Sequence, residues 1–339
     1  MSQCSVKGIT LRGIVCALPQ NRVENDYFAG RFDEKTIQDV TKLTGVSTRY
    51  IAPPKQTASD LCFAAAERLL EDLNWPRESV DAIIFVTQTP DQRMPATACI
   101  LHGRLGLAPH CQAFDVGLGC SGYVYGAWLV SALMAIGLRR VLLLAGDTSS
   151  RMVDPDDRST ALLFGDAGSA TAFEYDTNAP PCYFDLGTDG KGAHFLTIPG
   201  GGFRPTEEQA PRADSMHMDG SAMFGFTISA VPKLIKATLE QAHITQDDVD
   251  MFALHQANRF ILRHIGKKLN LAPDQLPINI DRFGNTSSAS IPLLLCTDKA
   301  EDITTKPTTI LMAGFGVGLS WGAVLFKDFQ LQCASVITV

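Results

Sequence analysis

The chain reads as an α/β fold built twice, with mostly parallel sheets, and three observations carry that expectation. A composition of 45% hydrophobic and 19% charged residues is that of a globular protein. Shifting the 339-residue sequence by 169 positions, half its length, superposes several segments in one register. Those segments include short, continuous apolar runs, the pattern of parallel strands buried on both faces.

Taken in order, Leu70-Glu71 falls on Leu239-Glu240, Trp75 on Ile244 and Val80-Asp81 on Val249-Asp250. Each half therefore reads as an amphipathic helix, a short polar turn and an apolar strand, the strands being 82–86 and 251–254. At the same offset 141–145 falls on 310–314, two β-type runs ended by glycine. The expected halves are 1–177 and 178–339. Residues 116–138 hold no charge over a length that could cross a bilayer. The first four read as a strand end and turn, which leaves only 121–136 as helix, so a helix buried between sheets is expected instead.

A formal charge of −7 and a pI near 5.5 exclude a general field for nucleic acid or an anionic membrane. Nine cysteines, at 4, 16, 62, 99, 111, 120, 182, 296 and 333, are odd in number and lack C-x-x-C spacing. That indicates neither zinc nor a disulfide framework, and fits a reducing cytoplasm. Residues 1–10 carry no apolar signal core, so no secretion is expected.

The segment 114–122, Phe-Asp-Val-Gly-Leu-Gly-Cys-Ser-Gly, ends a strand and opens the long apolar helix. A thiol at Cys120 would sit near a helix N-terminus, where the partial positive charge is expected to lower its pKa and backbone N–H groups can hold an oxyanion. The same residues satisfy G-x-G-x-x-G, and Asp147 follows the next strand where a ribose-binding acid stands in dinucleotide folds. An NAD-binding oxidoreductase therefore stays open as an alternative, although the motif lies mid-chain within a repeated unit. His255 falls directly at a strand end, where an imidazole can donate to a carbonyl or accept a proton. Asn285 lies in a glycine-led turn into a helix, as a carbonyl-binding amide or a helix cap. The glycines at 314, 316 and 318 allow close backbone approach to a ligand, or simply form a tight turn.

Gly-Cys-Ser-Gly at 119–122, His-Gln-Ala-Asn at 255–258, Gly-Asn-Thr-Ser-Ser-Ala-Ser at 284–290 and Gly-Phe-Gly-Val-Gly-Leu-Ser-Trp-Gly at 314–322 together resemble β-ketoacyl-acyl-carrier-protein synthase III. Leu-Phe-Gly-Asp-Ala-Gly at 163–168 and Leu-Thr-Gly-Val at 43–46 are similar to further segments of that family. The resemblance implies a thiolase-like fold, duplicated in five layers αβαβα. It implies that Cys120 takes an acyl group from a thioester, and that His255 and Asn285 hold a malonyl thioester during decarboxylative Claisen condensation. Backbone N–H groups of Cys120 and of the Gly316-Val317 stretch would form the oxyanion hole. Substrate contacts would come from Met94, across a homodimer, and from Phe315 and Arg158; no cofactor is implied beyond the thioester substrates.

Asn285 points to the initiating type of condensing enzyme, since elongating relatives carry a second histidine there. Asp39 and Leu43 stand where the family has a tryptophan and an arginine that clamp the coenzyme A nucleotide, which points to a specialised member. Arg259, Arg263 and Lys267 recur every four residues after His255 and form either a solvated face or a docking stripe for an acidic acyl carrier protein. A rival reading hands the Cys120 acyl group to an alcohol or amine without malonyl chemistry, and another makes the chain a scaffolding half of a heterodimer.

Overall fold

The computed structural model describes residues 2–204 and 213–339. In chain order the first half runs β1 (Ser2–Val6), β2 (Ile9–Leu18), β3 (Arg22–Glu24), α1 (Glu34–Thr44), β4 (Thr48–Tyr50), α2 (Ala58–Asp72), β5 (Ala82–Val86), α3 (Thr97–Arg104), β6 (Gln112–Val116), α4 (Gly122–Ala135), β7 (Arg140–Asp147), α5 (Arg158–Ala161) and β8 (Ala167–Tyr175). The second continues with β9 (Cys182–Thr188), β10 (Leu196–Thr197), β11 (His217–Met218), α6 (Gly220–Gln241), β12 (Met251–Leu254), α7 (Arg259–Leu269), α8 (Ile280–Phe283), α9 (Ser290–Asp298), α10 (Ala300–Thr305), β13 (Thr308–Gly316), β14 (Ser320–Phe329) and β15 (Cys333–Thr338).

The apolar runs are strands with two buried faces. Ile84, Val86, Leu143 and Ala145 point into the core between the sheets, while Ile83, Phe85, Leu142 and Leu144 point to an outer helical layer. The second half repeats this, with Met251, Ala253, Ile310 and Met312 inward and Phe252, Leu254, Leu311 and Ala313 outward. A side-chain period of two with both faces dry leaves no polar position, which is why these runs show no alternation.

The strands form a six-stranded sheet, β15-β2-β8-β7-β5-β6, and a five-stranded sheet, β1-β9-β14-β13-β12. Five of the six strands in the first sheet run one way, with β8 opposed. In the second, β9, β12 and β13 agree and β1 and β14 oppose them. The division at 177/178 is crossed at both ends of the chain, because β1 joins the second sheet and β15 the first. Helices α2 and α3 cover the outer face of the first sheet, α6 and α7 that of the second, and α4 and α9 lie between the sheets, giving five layers.

Helix α4 has 14 residues, about 21 Å at 1.5 Å each, too short for a hydrocarbon core of about 30 Å. Helix α6, with 22 residues, is long and apolar enough to cross a bilayer, but it packs Val231, Leu234, Ile235 and Leu239 against the second sheet. Its start is capped by Asp219, which accepts from the Ala222 N–H at 2.9 Å.

Candidate active site

Cys120 lies in the turn between β6 and α4, two residues before the helix begins. β13 passes directly against it, and only glycine permits that approach. A Cβ on Gly316 would stand 2.7 Å from the Cys120 Cβ and 3.1 Å from its Sγ, and one on Gly314 would stand 2.8 Å from the Cys120 carbonyl oxygen. The backbone N–H groups of Cys120 and Val317 and the Ser287 side chain lie near the sulfur and favour its charged form.

The thiol is not acidified, contrary to what the helix start leads one to expect. Burial, reinforced by the nearby Asp147 carboxyl, pushes the Cys120 pKa up to about 12, and the Ser287 side chain with the Cys120 and Val317 backbone offsets this only in part. No cation faces the sulfur among these causes, and a helix terminus carries only about half a charge, so desolvation wins. The resting nucleophile is a neutral thiol.

His255 follows β12 directly and is 1% exposed. Its Nδ1 lies 2.7 Å from the Ser290 Oγ, which also accepts from the Gln256 N–H at 3.4 Å. A hydroxyl can accept twice and donate once, so this contact orients the imidazole with either ring nitrogen carrying the proton. The Phe315 ring meets the imidazole edge-on at 5.6 Å. Burial holds the imidazole pKa down at about 3, offset slightly by the Ser287 backbone, so the ring is neutral at working pH.

Asn285 reaches the site on a segment locked to the first half. Its N–H donates to the Leu163 carbonyl at 2.9 Å, and its own carbonyl accepts from the Gly165 N–H at 3.1 Å. Gly284 before it has φ +67°, and a Cβ there would lie 2.7 Å from the Leu163 oxygen. The Asn285 Oδ1 accepts from the Ser287 N–H at 2.9 Å, which holds the amide plane and leaves both Nδ2 protons for a ligand. Ser287 pays for this with φ +50°, the left-handed region that a side chain rarely adopts.

Two cavities share Cys120. One of about 80 Å³ is also lined by His255, Asn285, Phe315 and Gly316. The other, about 580 Å³, is lined by Met152, Leu196, Ile198, Met216 and Val317 among others. Phe164 and Leu196 border both.

Other expected residues fall elsewhere. Met94 is 78% exposed, and Arg158 is exposed at the start of α5; neither lines a cavity at Cys120. Arg259 does not belong to an open basic stripe: it is half-buried and donates from Nη2 to the Gly45 carbonyl at 2.5 Å, while Arg263 and Lys267 are exposed. The first position of α7 faces α1, and the turns that follow rotate outward. Ser287 and Ser290 were not singled out from sequence; the run of small hydroxyl residues after Asn285 was the available signal.

The dinucleotide alternative fails on geometry. Asp147 is 0% exposed, its Oδ1 accepts from the Gln88 N–H at 2.7 Å and its Oδ2 from the Ser288 Oγ at 2.8 Å, so no oxygen is left for a ribose. A Cβ on Gly122 would collide with Val86, and one on Gly119 with Gln88, so these glycines serve packing rather than a pyrophosphate.

Residues 114–190 match the family model for 3-oxoacyl-[acyl-carrier-protein] synthase III, and 239–328 that for its C-terminal region. A putative 3-oxoacyl-[acyl-carrier-protein] synthase 3 of Campylobacter jejuni is 36% identical over 97% of both chains. The crystal structure of a 3-oxoacyl-(acyl-carrier protein) synthase from Burkholderia xenovorans superposes with TM-score 0.97 at 43% identity, covering 100% of this chain and 99% of that one. The priming β-ketosynthase of the R1128 polyketide pathway superposes with TM-score 0.83 at 26% identity over 95% and 97%. With likeness over essentially its whole length, the chain belongs to the 3-oxoacyl-[acyl-carrier-protein] synthase III family, thiolase-fold condensing enzymes of the acyltransferase class.

Proposed function

We propose that Cys120, His255 and Asn285 carry out the condensation in two half-reactions within the two cavities. The observation that carries this is the sharing of one thiol between a large, mainly apolar cavity and a small one lined by an imidazole and an amide. In the first half-reaction the Cys120 sulfur attacks a thioester carbonyl. A new C–S bond forms, the old one breaks, and the thiol proton leaves with the departing thiol. The N–H groups of Cys120 and Val317, which meet at the sulfur, are within reach of the oxyanion that develops beside it.

In the second, the malonyl thioester carbonyl lies between the His255 Nε2–H and the Asn285 Nδ2–H. Breaking the C–C bond releases carbon dioxide and leaves its electron pair in the enolate, whose oxygen these two donors stabilise. The enolate carbon attacks the acyl carbonyl, the C–S bond to Cys120 breaks with its electron pair on sulfur, and a proton taken up from solvent restores the resting thiol. A neutral imidazole suits this, because it donates a proton into a hydrogen bond without surrendering it.

Acyl and malonyl groups borne by an acyl carrier protein fit the exposed Arg263 and Lys267 on α7. Asp39 and Leu43, themselves neither aromatic nor positively charged, favour that donor over coenzyme A. The exposed Met94 fits a homodimer in which it reaches the partner's acyl cavity, and a cytoplasmic setting suits the free thiols.

The test is intact-mass analysis after incubation with short, medium and long acyl thioesters, followed by malonyl-carrier protein. A mass gain that is lost in Cys120→Ala and then consumed with release of carbon dioxide is expected. Loading discharged only by an alcohol or amine points instead to simple acyl transfer, and no gain with any donor overturns the assignment of Cys120.

A further inference from the structure

Asn285 is held by two stretches from the other half of the chain, and one buried carboxyl joins those stretches. On one side it exchanges backbone hydrogen bonds with Leu163 and Gly165, at 2.9 and 3.1 Å. On the other, β4 and the residue before it hold α8, the helix that leads into Asn285. The Ser47 N–H donates to the Asp281 carbonyl at 2.9 Å, the Thr48 hydroxyl to the Arg282 carbonyl at 2.8 Å, and the Tyr50 ring stacks on Phe283 at 6.0 Å. Asp166, which is 0% exposed, lies where these stretches meet. Its N–H donates to the Tyr50 carbonyl at 2.9 Å, and its carboxyl accepts from the Ala52 N–H at 2.8 Å and from the Ser150 N–H and hydroxyl at 2.9 and 2.6 Å. One side chain thus gathers the end of β4, the turn after β7 and the residues leading into β8, among them Phe164, which lines both cavities at Cys120. Only a carboxylate satisfies this set of donors. An asparagine in either orientation turns its NH2 towards a backbone N–H, that of Ala52 or that of Ser150.

We propose that Asp166 is a positioning residue for the decarboxylating half-reaction, setting where the Asn285 amide stands relative to His255 and Cys120. The inference rests on Asn285 as a donor to the malonyl thioester and deepens that assignment by naming what holds it in place. Asn285 follows α8 in the second half and Cys120 precedes α4 in the first, so their separation depends on contacts between the halves. Asp166 acts on those contacts through the backbone of 163–165 and through β4. Loss of one of its bonds frees 163–165 to shift against β4, and a misplacement of about 1 Å at a reacting group costs about a hundred-fold in rate. The N–H groups of Cys120 and Val317 at the oxyanion position stand on other elements, so acylation is spared.

The experiment measures release of labelled carbon dioxide from malonyl-carrier protein, and acetyl loading of Cys120 by intact mass, in the wild type, Asp166→Asn, Asn285→Ala and the double variant. Asp166→Asn is expected to lower decarboxylation about ten- to a hundred-fold and to leave loading nearly unchanged. It should cost almost nothing further once Asn285 is alanine, because a residue that acts through another loses its effect when that one is gone. Equal losses with and without Asn285, or no loss in Asp166→Asn, overturn the inference. A parallel fall in loading marks Asp166 as general support for the fold and overturns it too. If Asn285→Ala decarboxylates at the wild-type rate, the assignment of Asn285 falls and the positioning role with it. If Asn285→Ala is impaired and Asp166→Asn is not, that assignment survives and the positioning role alone falls. Should Asp166→Asn not fold, Ser150→Ala, which removes the donor at 2.6 Å and leaves two, is read in the same way, with a loss on the order of ten-fold expected.

Discussion

The neutrality of His255 makes a prediction about stability as well as chemistry. Its pKa is held at about 3 in the fold against about 6.5 for an unfolded chain. Between those values the unfolded chain binds a proton that the folded protein refuses, so stability falls as pH drops through 6.5 and goes on falling towards 3. At about 1.4 kcal/mol per pH unit, the step from pH 7 to pH 5 costs about 2 kcal/mol through this residue alone. His255→Asn keeps a polar group beside Ser290 and does not titrate, so its stability should lack that component. Asp147 and Asp166, whose pKa values burial raises, act in the opposite sense but are common to both proteins and cancel in the difference. Urea unfolding at pH 7, 6 and 5, followed by tryptophan fluorescence, measures it: the wild type should lose about 2 kcal/mol more than His255→Asn. Parallel losses would show that the ring is hydrated or charged in the fold and would refute the reasoning. Decarboxylation of malonyl-carrier protein should correspondingly show no acid limb near pH 6.5.

Three further outcomes follow from the contacts around the thiol and on α7. Gly316→Ala forces a methyl to 2.7 Å from the Cys120 Cβ, and a misplacement of about 1 Å should lower acylation on the order of a hundred-fold, read by intact mass; wild-type loading would mean that β13 yields freely. Ser290→Ala removes the group that orients the His255 ring, so malonyl decarboxylation should fall by about ten- to a hundred-fold, the usual effect of losing an orienting partner, while loading of Cys120 changes little; equal losses in both steps would point to a packing defect. Arg263→Glu with Lys267→Glu should raise KM for carrier-borne substrate and spare pantetheine thioesters, whereas Arg259→Glu, breaking the bond to the Gly45 carbonyl, should lower Tm. If all three positions affect only KM, the separation of docking from packing is wrong.

The parts legible in the sequence are those set by local chemistry. Strands such as Ala82–Val86 and Met251–Leu254 announce themselves because both faces are dry, and His255 and Cys120 because each directly follows a strand or opens a helix. Strand direction is another matter: β8 and β14 are buried along most of their length like their neighbours, and their antiparallel course depends on where the chain re-enters the sheet. The exchange of β1 and β15 between sheets is likewise a property of the closed fold. The thiol pKa was misjudged because proximity to a helix start is visible along the chain, whereas complete burial beside Asp147 is not. Arg259 looked like its stripe-mates because a period of four ignores which turn of α7 meets α1.

The duplication also explains how one site arises from two nearly equivalent places. β7 and β13 occupy matching positions in the two sheets, and at the offset of 169 Asp147 corresponds to Gly316, each at a strand end. Each end reaches over to the start of the central helix from the other half: Gly316 to Cys120 before α4, and Asp147 to Ser288 before α9. At the first crossing the strand contributes no side chain, and the space that a Cβ would take is left to the sulfur and whatever it attacks. At the second, a carboxyl fills the space and is saturated by Gln88 and Ser288, which fixes the segment carrying Asn285 and Ser287. Repetition supplies two strand ends facing two helix starts, and a single difference, glycine against aspartate, makes one an opening for chemistry and the other the clamp that holds it in register.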